Sequence, residues 1–157
     1  MTTENLEIKY LSENPQFAET ISDWIYNAFI KDVRDDLTQE DITAHIKVCG
    51  RVALPIRLVA VLDGQCVGTI SLVENDLKCR AYTPWLAALI VDQAARDQGI
   101  GRQLIAYVQE LSRQMGYQVL YLRTEHAGAY YQKLGWQYVE TCNDQFGLKP
   151  DVYQFIL

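Results

Sequence analysis

Leu89-Ile-Val-Asp-Gln-Ala-Ala-Arg96-Asp-Gln-Gly99-Ile-Gly101-Arg102-Gln-Leu104 decides the fold of this chain. It joins an apolar run, Trp85 to Val91, to a stretch whose apolar positions are Leu104, Ile105, Val108, Leu111 and Met115, closed by Gly116. The first run suits a strand buried on both faces, and the spacing of the second suits an amphipathic helix. Two glycines open that helix. The first turn of any helix has four N–H groups without intrahelical partners and carries about half a positive charge from its aligned peptide dipoles. With no Cβ at Gly99 or Gly101, a phosphate can come close to those N–H groups, and Arg96 and Arg102 bracket the loop with positive charge. The loop is built to cradle a pyrophosphate. It is not a Walker loop, because no Gly-x4-Gly-Lys-[Ser/Thr] string occurs. Nor is it a dinucleotide fingerprint, because Leu104 sits where the third glycine belongs.

Working outward, Val119 to Thr124 reads as the next strand, so the loop lies inside a strand–helix–strand crossover. A short helix around Ala129 to Lys133 stops at Gly135, and Trp136 to Thr141 and Val152 to Ile156 read as closing strands. Upstream, Ile56 to Leu62 and Gln65 to Val73 form a hairpin around Asp63-Gly64, followed by a polar, turn-rich stretch from Glu74 to Pro84. Near the start, Leu6 to Leu11 alternates weakly as a strand. Asn14-Pro15 supplies an N-cap and first helical residue for Phe17, Ile21, Trp24, Ile25 and Ala28. Charged Lys31 to Asp36 form a loop, and Thr38 with Asp41 caps a second helix whose stripe is Ile42, Ile46 and Cys49 and whose stop is Gly50. The order β-α-α-β-β-β-α-β-α-β-β predicts seven strands and four helices in one mixed α/β domain spanning residues 1–157, with no repeat or linker.

Composition agrees with a single folded unit: 157 residues, 49% hydrophobic and 22% charged. With 14 basic and 20 acidic residues the formal net charge is −6, so the chain lacks the bulk positive field that drives binding to nucleic acid. Cys49, Cys66, Cys79 and Cys142 are too far apart for a Cys-x-x-Cys motif, and His45 and His126 are the only histidines, so no metal site is expected. The polar, acidic opening from Met1 to Glu7 is no secretory signal, and no apolar run is long enough to span a bilayer. The expected address is the cytoplasm, with all four thiols reduced.

Arg96-x-x-Gly99-x-Gly101 after an apolar strand resembles the [Arg/Gln]-x-x-Gly-x-[Gly/Ala] loop of the GCN5-related N-acetyltransferases, the GNAT superfamily. Thr83-Pro-Trp-Leu-Ala-Ala-Leu-Ile-Val91 looks like that family's central fourth strand, and Tyr130-Tyr-Gln-Lys-Leu-Gly-Trp136 resembles its Leu-Tyr-Glu-Lys-Leu-Gly-Phe segment. The likeness is strong from Val59 to Val139 and fades toward the N-terminal helices. It implies a central, mixed, mostly antiparallel twisted sheet flanked by helices, with acetyl-CoA as co-substrate and no metal. The implied reaction moves an acetyl group to a primary amine of a small-molecule or peptide acceptor, by direct attack on the thioester. Carried over residue by residue, Leu89, Ile90 and Val91 hold the pantetheine arm and supply an oxyanion contact, while Arg96, Asp97, Gln98, Gly99, Ile100, Gly101 and Arg102 hold the pyrophosphate. Tyr131 stands on the family tyrosine beside the sulfur, acting as general acid. A monomer or homodimer is expected. Asp97 departs from the pattern, standing where many relatives carry glycine, and Glu125-His126-Ala127 replaces an asparagine often found after the fifth strand.

A free alkyl amine has a pKa near ~10.4, so at neutral pH a base must take its proton. Glu74, Asp76, Glu125 and His126 are the candidates, and Glu74, acting directly or through water, is the expected one. Packing on a short helix is the alternative reading of Tyr131, Tyr130 next door competes for its role, Trp85 is a candidate for the acceptor pocket, and His45 reads as structural. Acidic residues near the cleft suggest cationic acceptors. The competing reading is a non-catalytic CoA-binding or acyl-CoA-binding module on the same fold, which a carboxylate at Asp97 beside the phosphates would suit.

Overall fold

The computed structural model describes residues 5–157; residues 1–4, part of the polar opening read above, lie outside the described residues. Among the described residues, seven strands form one sheet in the order β1-β2-β3-β4-β5-β7-β6. They are β1 (Leu6–Tyr10), β2 (Ile56–Leu62), β3 (Gln65–Val73), β4 (Trp85–Val91), β5 (Val119–Thr124), β6 (Gln137–Thr141) and β7 (Asp151–Ile156). All neighbours pair antiparallel except β4 and β5. Four α-helices among the described residues flank the sheet: α1 (Ala18–Ile25), α2 (Gln39–Lys47), α3 (Ile100–Gln114) and α4 (Gly128–Lys133). The mixed, mostly antiparallel sheet and its helices match the expected fold class.

Strand alternation divides the core. Ile56, Leu58 and Ala60 of β2 pack with Leu104, Ile105 and Val108 of α3 on one face of the sheet. Val59 and Val61 pack with Ile21, Ile25, Ile42 and Ile46 of α1 and α2 on the other. The crossover from β4 through α3 to β5 keeps these parallel strands adjacent, and Asp63 and Gly64 take φ of 52° and 83°, the left-handed pair that a two-residue hairpin needs.

Three local expectations change. Asn14 does not cap a helix: its side-chain amide donates to the Tyr10 carbonyl, and the chain passes through a 3-10 turn at Pro15–Phe17 before α1 begins. Past Ile25 the helix widens into a π-turn over Tyr26–Ile30. α2 ends at Lys47, short of Gly50, which instead makes a bridge to Ile56. Its N-terminus is as expected, with Thr38 and Asp41 forming a reciprocal capping box.

Candidate active site

A β-bulge in β4 creates the site. Thr69 of β3 faces Ile90 and Ser71 faces Ala87, so Ile70 stands against both Ala88 and Leu89. Ala88 takes the extra turn at φ 52°, a left-handed conformation that costs a non-glycine residue about 1 kcal/mol or more. The ladder on the other edge of β4 is nearly absent, with Trp85 and Tyr121 forming its one registered pair among the described residues. Beyond Trp85 the parallel strands diverge, and the backbone of residues 86–91 loses its β5 partner.

A cavity of about 1070 Å³ occupies this opening. Its walls come from both faces of the sheet. Ile42, His45 and Arg57 belong to the α1/α2 side, whereas Leu89, Leu122 and Tyr131 belong to the α3 side. A passage therefore crosses the sheet at the bulge. The β6–β7 loop closes one end: Arg123 pairs with Asp144 at 2.7 Å, and the Asp144 carboxylate also accepts the N–H groups of Phe146 and Leu148 at 2.8 Å each. These bonds hold the Asp144 carboxyl below the ordinary carboxylate value against the effect of burial. Across the mouth, the Arg34 guanidinium lies 5.0 Å over the Phe146 ring.

The loop after β4 folds back on its strand through Arg96, whose Nε donates to the Val91 carbonyl at 3.2 Å. Asp97 is exposed at φ 65°, so the glycine of the related pattern answers a left-handed backbone, which aspartate tolerates better than most residues. Gly99 takes φ 78° as the N-cap of α3, with no side-chain cap and no acidic residue in the first turn. A Cβ at Gly101 would lie 3.4 Å from the Tyr130 hydroxyl and 3.7 Å from Val91, both ordinary contacts. This uncapped helix end fits a pyrophosphate, and the unpartnered β4 edge beside it fits an extended amide-bearing arm. The Gln98 Oε1 atom is buried without a partner in the same loop.

Tyr131 lies in the cavity wall and is 8% exposed, wedged edge-on against Trp136 at 5.9 Å. Burial, then Tyr130, pushes its phenol up to about 12, so it keeps its proton throughout the neutral range. Tyr130 is outside the cavity wall, beside Gly101. Glu74 is also outside that wall and is exposed. Alternation along β3 sends Ser71, Val73 and then Asn75 into the cavity and turns Glu74 away. Asp76 does line the cavity, and burial pushes its carboxyl up to about 6, with Glu125 adding to the rise and Arg123 and Arg57 opposing it. Glu125 is at the rim, paired to Arg123 at 2.8 Å, and His126 is exposed away from the wall. Trp85 is fully buried beside Tyr82 and Tyr121 instead of lining the pocket.

His45 lines the cavity, its imidazole pKa lowered by burial and by Arg57. Arg57 was not singled out from the sequence. It is 8% exposed, lines the cavity, and its Nε has no hydrogen-bond partner. The available signal was one cation in the otherwise apolar run Ile56 to Leu62, at the alternation parity of Val59 and Val61.

A profile of the Acetyltransferase (GNAT) family matches residues 18–136. The chain belongs to this family. No curated protein matches the sequence. Among solved GNAT-type structures, the chain resembles an aminoglycoside 6'-N-acetyltransferase complexed with coenzyme A, at 20% identity and a TM-score of 0.73, covering 96% of each chain. It also resembles an N-acetyltransferase from Staphylococcus aureus Mu50, at 19% identity and 0.73, covering 98% of this chain and 99% of that one. An acetyltransferase of the GNAT family from Streptococcus pneumoniae gives 17% and 0.69, covering 97% and 99%. At these identities the likeness is one of fold, and the GNAT fold carries acetyltransferase chemistry in general. No group of three or more metal-type side chains gathers among the described residues, and none of the described helices is long and apolar enough to cross a membrane.

Proposed function

We propose that this GNAT protein transfers the acetyl group of acetyl-CoA to a primary amine, by direct attack of the amine on the thioester. One observation carries the reading: the bulge in β4, the strand that leads into the uncapped end of α3, borders a cavity whose wall holds both a protonated phenol, Tyr131, and a carboxyl of raised pKa, Asp76. Acetyl-CoA supplies the activated acyl group and a thiol leaving group. The α3 N-terminus with Arg96 and Arg102 binds its pyrophosphate, and the free edge of Leu89 to Val91 orients its pantetheine arm. N–H groups at the bulge stabilise the charge that develops on the carbonyl oxygen. Tyr131 donates its proton to the departing sulfur, for which a phenol that stays protonated is suited.

Asp76 replaces Glu74 as the proposed base. A carboxyl poised near 6 is largely ionised at neutral pH yet basic enough to accept a proton, and Glu74 stands outside the cavity. The test is free-thiol release from acetyl-CoA with a panel of primary amines. Amine-dependent release with stoichiometric acetylated product is expected. Tight CoA binding with no release for any amine would favour the non-catalytic module.

A further inference from the structure

The cavity's charged groups are almost all matched within the protein. Arg34 pairs with Asp36 at 2.6 Å, Arg123 pairs with Glu125 and Asp144, and Asp41 is engaged in the α2 capping box. Two groups are left over. Arg57 makes no ion pair among the described residues, and its Nε is an orphaned buried donor. Asp76 also makes no ion pair there, although it feels the field of Arg57. A buried guanidinium keeps its charge, and burying a charge without a partner is costly unless an anion arrives to pair with it. Its planar fork of donors matches a carboxylate in two parallel hydrogen bonds.

Position adds the second half of the argument. Arg57 is registered against Ser71, and Ser71 against Ala87, next to the bulge. Two strand spacings, about 10 Å, separate the Arg57 and Ala87 backbones, and both residues line the same cavity. An anion held by Arg57 therefore shares the cavity with Ala88 and Leu89 of the bulge, where an amine must meet the thioester. Near α1 and α2 the wall has an apolar part, Ile25, Phe29 and Ile42, beside His45 and the engaged groups Arg34, Asp36 and Asp41.

We infer that the acceptor is a zwitterionic amino acid, its carboxylate paired with Arg57 and its ammonium facing Asp76. This inference rests on the acetyl-transfer reading above. Asp76 takes one proton from the ammonium and passes it to water. The freed nitrogen lone pair forms the C–N bond as the C–S bond breaks. The nitrogen loses a second proton, Tyr131 protonates the sulfur, and the phenol recovers its proton from solvent. The products are an N-acetyl amino acid and CoA thiol, with one proton released.

The experiment compares phenylalanine, phenylalaninamide and phenethylamine, and the matching leucine set, by calorimetric binding in the presence of CoA and by kcat/KM for thiol release. A bidentate contact to a charged group predicts that each acid is preferred about ten- to a hundred-fold over its amide and its amine. The amide is the stricter control, because its amine is less basic and chemistry alone would favour it. Arg57→Met should abolish the preference and leave Tm unchanged or higher, since it removes an unpaired buried charge. Equal use of acid, amide and amine by the unmodified protein overturns the inference and leaves acetyl transfer standing, as does an Arg57→Met protein that keeps the preference. Carboxylate-dependent binding without acetylation supports the Arg57 site and removes the acetyl-transfer reading. No binding and no transfer with any of the compounds overturns the inference.

Discussion

Replacing Asp76 with asparagine separates a working base from a structural carboxylate, because the two predict different combinations of stability and rate. The native carboxyl titrates near 6 because burial disfavours its charge. In the unfolded chain it titrates near ~3.9. Between those values the folded protein binds more protons than the unfolded one, so this group's contribution to stability is fully present below about 4 and is lost as pH rises through about 6. At pH 8 the ionised carboxylate is a burden of at most ~3 kcal/mol, and partial exposure reduces this to about 1–3 kcal/mol. Asp76→Asn should therefore raise the urea midpoint at pH 8 and have little effect near pH 4. Its activity should move the opposite way. Loss of a general base costs about 10²–10⁴-fold, and the acid limb of kcat/KM, which the unmodified protein should show with an apparent pKa near 6, should disappear. Urea melts at both pH values, alongside pH profiles of thiol release, provide the assay. A variant that loses stability at pH 8, or keeps full activity with an unchanged acid limb, refutes the reasoning.

Tyr131→Phe should lower kcat about 10²-fold, the low end for general acid catalysis because a thiol leaves readily, while CoA affinity is nearly unchanged and Tyr130→Phe stays close to normal. Because the Tyr131 phenol is pushed up to about 12, it should cause no decline in rate below pH 10. Gly101→Ala should fold normally and keep its CoA affinity, since its Cβ meets only ordinary contacts and the related pattern accepts alanine there, whereas the bulkier Gly101→Val should weaken CoA binding measured by calorimetry by keeping the phosphates from the α3 backbone. Asp97→Gly should tighten CoA binding, more strongly at low salt, and relieve the left-handed strain at φ 65°; unchanged affinity at both salt concentrations would separate Asp97 from the phosphates.

The strands were legible because their signals are local. The Asp63-Gly64 turn fixed the hairpin register, and the apolar run Trp85 to Val91 marked the central strand. The glycine-opened start of α3 was legible for the same reason, since two glycines ahead of an amphipathic run are written in neighbouring residues. The bulge at Ala88 was not, because no glycine marks its positive φ and the surrounding sheet imposes it. Nor did the sequence show which acidic residue enters the cavity. Alternation turns Glu74 outward as β3 ends, and only the path of the following loop brings Asp76 back to the wall. Asn14 carried a valid capping signal, but its Nδ2 is tied to the Tyr10 carbonyl and its side chain makes no cap hydrogen bond. Arg57 escaped because a cation inside a strand reads as an edge or surface position until the sheet is assembled around it.

Direct acetyl transfer is tested most simply by a single turnover with the protein in excess over acetyl-CoA labelled in its acetyl group. In the absence of amine, the label should remain on CoA and none should appear on the protein, including its four free thiols. On adding the acceptor, the label should pass to the amine in step with one equivalent of thiol. Label bound covalently to the protein before amine is added, or thiol released without a labelled amine, would contradict the account.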